Sequence, residues 1–228
     1  MGRIQSIAET SLPVTWDHPP CTDTNIPKIN EEWARYEERC FDLAKRTVTT
    51  THSEEIADVY AKCLTFHNSS SPFTGKAARD SLHAWRKLHY MGFAANDEPM
   101  PPQDLITRMA TQFTFEELTE APGASSFAEG FRATYIRALN DATLIRKHFA
   151  NAGGREFFAS DRGNIGWAPP GAKVGDEICV FHGCKLPFVI RRAAQPDHYR
   201  FIGACYIQGF VDGEGLELPV ETTTIKLV

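Results

Sequence analysis

The chain has 228 residues, of which 42% are hydrophobic, 23% charged and 11% aromatic, a composition that excludes disordered, fibrous and collagen-like classes. Its formal net charge of −5 provides no global cationic field for a phosphate backbone or an anionic membrane, so neither is an expected partner. No window reaches the roughly 18 apolar residues of a membrane helix, and no signal-peptide stretch opens the chain, so a cytoplasmic location is expected.

Residues 1–29 carry no helical period and are predicted as an extended N-terminal arm. Gly2 and Ser6 match an acylation spacing but lack the polybasic cluster that usually accompanies it. From Asn30 to Arg46, Trp33, Tyr36, Cys40 and Leu43 recur at helical steps, and Glu31, Glu32, Glu37, Glu38 and Arg39 fill the other face. Ser53 with Glu54 and Glu55 starts a second helix, striped by Ile56, Val59, Tyr60, Cys63 and Leu64 and ending near His67. A third runs from about Lys76 to Tyr90 and buries Leu82, Trp85 and Leu88 or His89, and a shorter one is expected over Gln103 to Gln112. Ser126 with Glu129 forms a capping box for the longest helix, whose stripe runs from Phe127 through Tyr135, Ala138, Ala142 and Ile145 to Phe149.

Beyond residue 152 the texture changes, since 11 of the 16 glycines lie at or after Gly153. Strands are predicted at Glu156–Ser160, Glu177–His182, Leu186–Arg191, Tyr199–Ile202, Cys205–Phe210 and Thr222–Val228, joined by hairpin-length turns and therefore antiparallel. Several carry apolar residues on both faces, which implies a small barrel covered by the helices. The predicted fold class is α+β: a helical region over 30–152 packed on a C-terminal antiparallel β-barrel over 153–228, the two sharing one core. The six cysteines include no Cys-x-x-Cys pair, so reduced thiols without metal are expected.

The runs Gly154-Arg155-Glu156-Phe157-Phe158, Gly163 to Pro170, Val174 to Val180, Gly183 to Arg191 and Tyr199 to Tyr206, with Gly209 and Asp212-Gly213-Glu214, resemble the C-terminal region of fungal heterokaryon-incompatibility (HET domain) proteins. The resemblance covers about a third of the chain. Such proteins usually begin with a signalling domain credited with the cell-death output of nonself recognition, and nothing in this sequence resembles it. The shared residues read as architecture: Gly163, Gly171, Gly175 and Gly183 suit turns of positive φ, and Pro169-Pro170 a rigid corner. The chain departs from the family pattern at Ala204, Gln208 and Gly215, where Glu, His and Ala are expected.

Catalytic chemistry needs titratable groups in a cleft, and His182, Tyr206, Asp212 and Glu214 are the candidates, with His182 expected to face an internal cavity near the other three. Trp85, Tyr135 and Trp167 are candidate lining residues, and Arg191 with Arg200 a candidate clamp for one carboxylate or phosphate of a ligand. The sequence lacks a nucleophile elbow, a Walker loop, a dinucleotide fingerprint and a His-Glu-x-x-His motif. No cofactor or metal is called for. Two functions fit: a cofactor-independent cyclase, isomerase or hydro-lyase acting on a small apolar, polyketide- or terpenoid-like molecule of secondary metabolism, and a non-catalytic module that binds a ligand or a full-length relative.

Overall fold

The computed structural model describes residues 2–10, 26–48, 56–67, 70–71, 75–90, 113–114, 126–214 and 222–228. Within them lie helices α1 (Ile26–Thr47), α2 (Ile56–Leu64), α3 (Gly75–Tyr90) and α4 (Phe127–Asn151). The strands are β1 (Gly2–Thr10), β2 (Glu156–Ser160), β3 (Ile165–Ala168), β4 (Glu177–Val180), β5 (Phe188–Arg192), β6 (His198–Ala204), β7 (Tyr206–Ile207) and β8 (Lys226–Leu227). The class is α+β, as the sequence predicts. The short helix expected over Gln103 to Gln112 lies outside the described residues.

Helix α1 starts four residues ahead of the predicted Asn30, with Pro27 in its first turn, where a missing N–H leaves no bond unmade. Ser126 caps α4, the Glu129 N–H donating to Ser126 Oγ at 3.3 Å. Farther along α4 a neighbour intrudes: the Ser81 hydroxyl donates to the Asp141 carbonyl and accepts the Ile145 N–H at 3.2 Å, so α3 inserts a side chain into the ladder of α4. Glu37, expected on the polar face of α1, is instead 2% exposed. Arg86 of α3 reaches across and binds its carboxylate at both oxygens, 2.5 and 3.2 Å.

The sheet has the order β7-β3-β2-β1-β4-β5-β6-β8. Two stretches of chain divide their length between partners. Gly2–Ser6 of β1 pair with β4, and Ile7–Thr10 pair with β2, both antiparallel. Only Cys205 separates β6 from β7, so one continuous strand pairs with β5 in its first half and with β3 in its last two residues. The sheet thereby closes into a barrel of six members, β1-β2-β3-β6/β7-β5-β4. Register shifts in β1 and opposite β5 mark the bends. β8 lies parallel to β6, against the antiparallel expectation for residues 222–228.

Two of these strands were not anticipated. The expected N-terminal arm contributes β1, which stands between β2 and β4 in the sheet, and β3 falls in a stretch read as turns. β7 is confined to Tyr206–Ile207, shorter than the predicted Cys205–Phe210. The four glycines assigned to turns all have positive φ, between 79° and 90°.

Alternation along the strands sorts side chains between two cores. Ile7, Phe158, Ile178, Val189, Cys205 and Ile207 fill the barrel interior. Phe157, Ile165, Trp167 and Tyr206 point outward and join Tyr36, Tyr60, Leu82 and Ile145 of the helices in a second cluster. Gly166, between the two outward residues of β3, passes so close to β7 that a Cβ there would collide with the Tyr206 carbonyl and come within 2.7 Å of the Phe158 ring. Gly166→Ala should therefore open the β3–β7 seam and cost about 1–3 kcal/mol or more, because a backbone atom cannot swing aside. A urea unfolding curve superimposable on that of the wild type would refute this.

Candidate functional site

Tyr206 is the best-connected of the four catalytic candidates. It is 7% exposed, and its hydroxyl lies 2.8 Å from the His67 carbonyl, 2.6 Å from the Gln208 side-chain amide and 3.5 Å from the Lys62 carbonyl. A phenol carries one proton. Its partners are all acceptors, Gln208 Oε1 and the two carbonyls, so the hydroxyl is held as a donor. Burial pushes the hydroxyl far above its ordinary value, and Cys63, Asp212 and Glu214 add to the effect, so tyrosinate is not formed at neutral pH.

These bonds dock α2 on the barrel. After Leu64 the chain turns with Phe66 at φ 51°, donating from the Phe66 N–H to the Cys63 carbonyl and from the His67 N–H to the Lys62 carbonyl, a Schellman cap with an aromatic residue where glycine is usual. Trp167 Nε1 donates to the Cys63 carbonyl at 3.0 Å. Phe66 stacks on Trp167 at 5.9 Å and meets Tyr206 edge-on at 5.2 Å. The barrel's outward aromatics thus satisfy the carbonyls that end α2.

Asp212 and Glu214 share the turn beyond β7, where the Asp212 N–H donates to the Glu214 carboxylate at 2.8 Å. They lie within electrostatic reach of Tyr206. His182 does not join them. It sits exposed on the turn after β4, and among the described residues none hydrogen-bonds or ion-pairs with it. The expected inward-facing histidine is corrected: β4 ends at Val180, two residues earlier than predicted, and the chain has already left the barrel wall.

The lining candidates are core residues. Trp85 of α3 is 7% exposed, Trp167 is fully buried, and Tyr135 of α4 packs half-buried against the same cluster. Of the two arginines, which are register partners on β5 and β6, Arg191 is already bound. Its Nε and Nη2 donate to Asp176 at 2.7 and 2.8 Å, and Nη2 also donates to the Gly171 carbonyl at 2.8 Å. Arg200 is exposed. Burial pushes the Cys179 thiol up to about 12 and the Cys205 thiol higher still, so neither is a thiolate nucleophile at neutral pH. The five described cysteines are free, and among the described residues no group of His, Cys, Asp and Glu side chains is arranged to hold a metal ion.

Sequence reasoning passed over the outer face of β4, β5 and β6. There Phe181, Phe188 and Phe201 form a ladder with ring centroids 5.4 and 5.5 Å apart. Phe201 is 47% exposed and Leu186, on the adjoining turn, 48%. Beneath them Cys179, Ile190 and Tyr199 make a small buried cluster. The helices pack on the opposite side of the barrel, against β2 and β3. Alternation was the available signal, because Phe188, Ile190, Tyr199 and Phe201 all fall on outward positions.

Residues 136–222 match the model of the Het-6 beta-barrel domain, a domain found in fungal Het-6 heterokaryon-incompatibility proteins. The matched region begins inside α4 and spans β2 through β7, leaving out β1. No curated protein and no solved structure matches the chain. Among the described residues no helix is long and apolar enough to cross a membrane.

Proposed function

We propose that the chain is a non-catalytic interaction module, and that its partner is a protein of the heterokaryon-incompatibility class. The observation that carries this reading is the aromatic ladder on the outer face of β4–β6. A partly exposed strip of phenylalanines on a sheet has the composition of a protein-interface core, in which aromatic residues are enriched and charge is depleted. Scattered exposed apolar residues need no explanation; three phenylalanines in a row, Phe188 touching both Phe181 and Phe201, form a patch. The Het-6 barrel match supplies the class of partner.

The catalytic reading, a cofactor-independent cyclase, isomerase or hydro-lyase, needs an acid/base pair around a shared cavity. His182 in solvent and Tyr206, its hydroxyl surrounded by acceptors, do not form such a pair, and this favours the interaction module. Localisation in the cytoplasm remains part of the same reading, since heterokaryon-incompatibility partners would have to be met there.

Phe201→Asp is the decisive variant. Because the side chain is half exposed, stability should change by no more than about 0.5 kcal/mol. Binding to a panel of fungal Het-6 proteins, measured by calorimetry with the purified chain, should weaken by about 2 kcal/mol or more, roughly 30-fold, as for an interface anchor. If wild type and variant bind alike, or if wild type binds none of the panel while turning over a small-molecule substrate, the reading fails.

A further inference from the structure

We propose that β8 is a docking edge for an extended strand of the partner, one in which apolar residues alternate with carboxylates. The inference rests on reading the phenylalanine face as an interface, and it names the chemistry of what that interface receives.

β8 is the last member of the sheet, so among the described residues no strand lies against its outer edge. The Lys226 N–H donates to the Asp197 carbonyl and the Val228 N–H to the Tyr199 carbonyl, both at 2.9 Å. Peptide groups alternate between the two edges of a strand, so the N–H and C=O of Leu227 point the other way, off the sheet. An added strand finds its first rung there.

Side chains alternate as well, and the register sorts them. Tyr199 pairs with Leu227 and His198 with Lys226. Tyr199, Phe201 and Leu227 therefore share the outer side with Ile225, which packs on the buried cluster of Cys179, Ile190 and Tyr199. β8 thus carries the apolar strip of phenylalanines out to the sheet edge, where it ends on Leu227, 53% exposed. His198, Arg200 and Lys226 share the opposite side. Arg200 and Lys226 are exposed, and among the described residues neither side chain hydrogen-bonds or ion-pairs. The Asp197 carboxylate lies instead within electrostatic reach of Arg192.

An edge that is apolar on one side and cationic on the other is complementary to a strand that is apolar on one side and anionic on the other. The same charges disfavour a second copy of this chain as the occupant. Antiparallel pairing of β8 with itself keeps like sides together, so the two Lys226 ammonium groups fall on one side along with both Arg200 guanidiniums. Like charges facing across a strand pair destabilise it, and a lysine on an edge strand is a common bar to self-pairing.

The test titrates labelled synthetic peptides with the full chain, read by fluorescence anisotropy at low and at high salt. A short peptide alternating valine with glutamate should bind, and added salt should weaken it. Its lysine counterpart should bind about tenfold more weakly or worse, as two or three cross-strand charge pairs change sign. A peptide with the same valines and glutamates in two blocks, which cannot keep apolar and charged groups on separate sides, should be weakened as much. Leu227→Pro removes the edge N–H and leaves both donors to β6, so it should abolish binding, whereas Leu227→Val should retain it. Arg200→Glu combined with Lys226→Glu should reverse the preference between the glutamate and lysine peptides. Equal binding of those two peptides, binding that Leu227→Pro leaves intact, or no binding at all overturns the proposal. Should Leu227→Pro not fold, the comparison of the three peptides on the wild type decides it alone. These probes contain no Het-6 protein, so the two readings fail separately: an edge that binds none of the peptides, while Phe201→Asp still weakens a Het-6 partner, leaves the face an interface without an added strand.

Discussion

Trp167→Ala should leave the protein at or below the threshold of folding. Trp167 is fully buried and stands where helices and barrel meet, stacked at 6.4 Å on Tyr36 of α1 and at 5.9 Å on Phe66 after α2, with Phe157 edge-on at 5.2 Å. Removing so large a buried aromatic costs about 3–5 kcal/mol. It also removes one of the two donors to the Cys63 carbonyl, the Phe66 N–H remaining, a loss of about 0.5–1.5 kcal/mol. Set against a total stability of about 5–15 kcal/mol, the sum removes much of the native population. Trp167→Phe separates the two contributions, because it keeps much of the buried ring and loses the N–H; about 0.5–1.5 kcal/mol is expected from the lost bond. The measurement is urea unfolding followed at once by far-ultraviolet circular dichroism and by tyrosine fluorescence. Coincident loss of both signals at a lower midpoint is the expected result, and a helical transition left at its wild-type midpoint would show that Trp167 does not couple the two halves.

The parts of this fold that were legible in the sequence are those with an unbroken local period. The stripe of α1 and the Ser126 cap of α4 depend on residues three and four apart, so the chain itself displays them. β1 was illegible for a physical reason: its register shifts between Arg3 and Gln5 and again between Ile7 and Glu9, and each shift breaks the period-two signal. β3 was illegible because a four-residue strand with Gly166 and Ala168 on its inner face resembles turn sequence, although those small residues are what the crowded interior and the nearby β7 require. Candidate chemistry fared in the same way. Tyr206 with Asp212 and Glu214 came together because they are neighbours along the chain, whereas bringing His182 to them required knowing where β4 ends.

Glu37 shows the same dependence on distant partners, and it sets up the second large effect. Within α1 it stands four residues after Trp33 and three before Cys40, at the edge of the apolar stripe, and it is buried while Glu38 is exposed; Arg86 arrives from α3, 49 residues away, to pair with it. The guanidinium also covers the Phe41 ring at 4.2 Å from its centroid, and the Tyr60 hydroxyl donates to the Glu37 carbonyl at 3.0 Å. Arg86→Ala should therefore destabilise by about 3–5 kcal/mol, chiefly by stranding a carboxylate in the core rather than by losing an attraction. Changing both partners, Glu37→Leu with Arg86→Met, should recover most of that loss, because a buried pair replaced by apolar groups of similar volume is often neutral or stabilising. The double-mutant cycle, measured by thermal and urea unfolding, should give a coupling of about 0.5–3 kcal/mol. Additive single and double losses would mean that Arg86 stabilises through its stacking on Phe41 alone, and that the carboxylate beneath it is as well served by water.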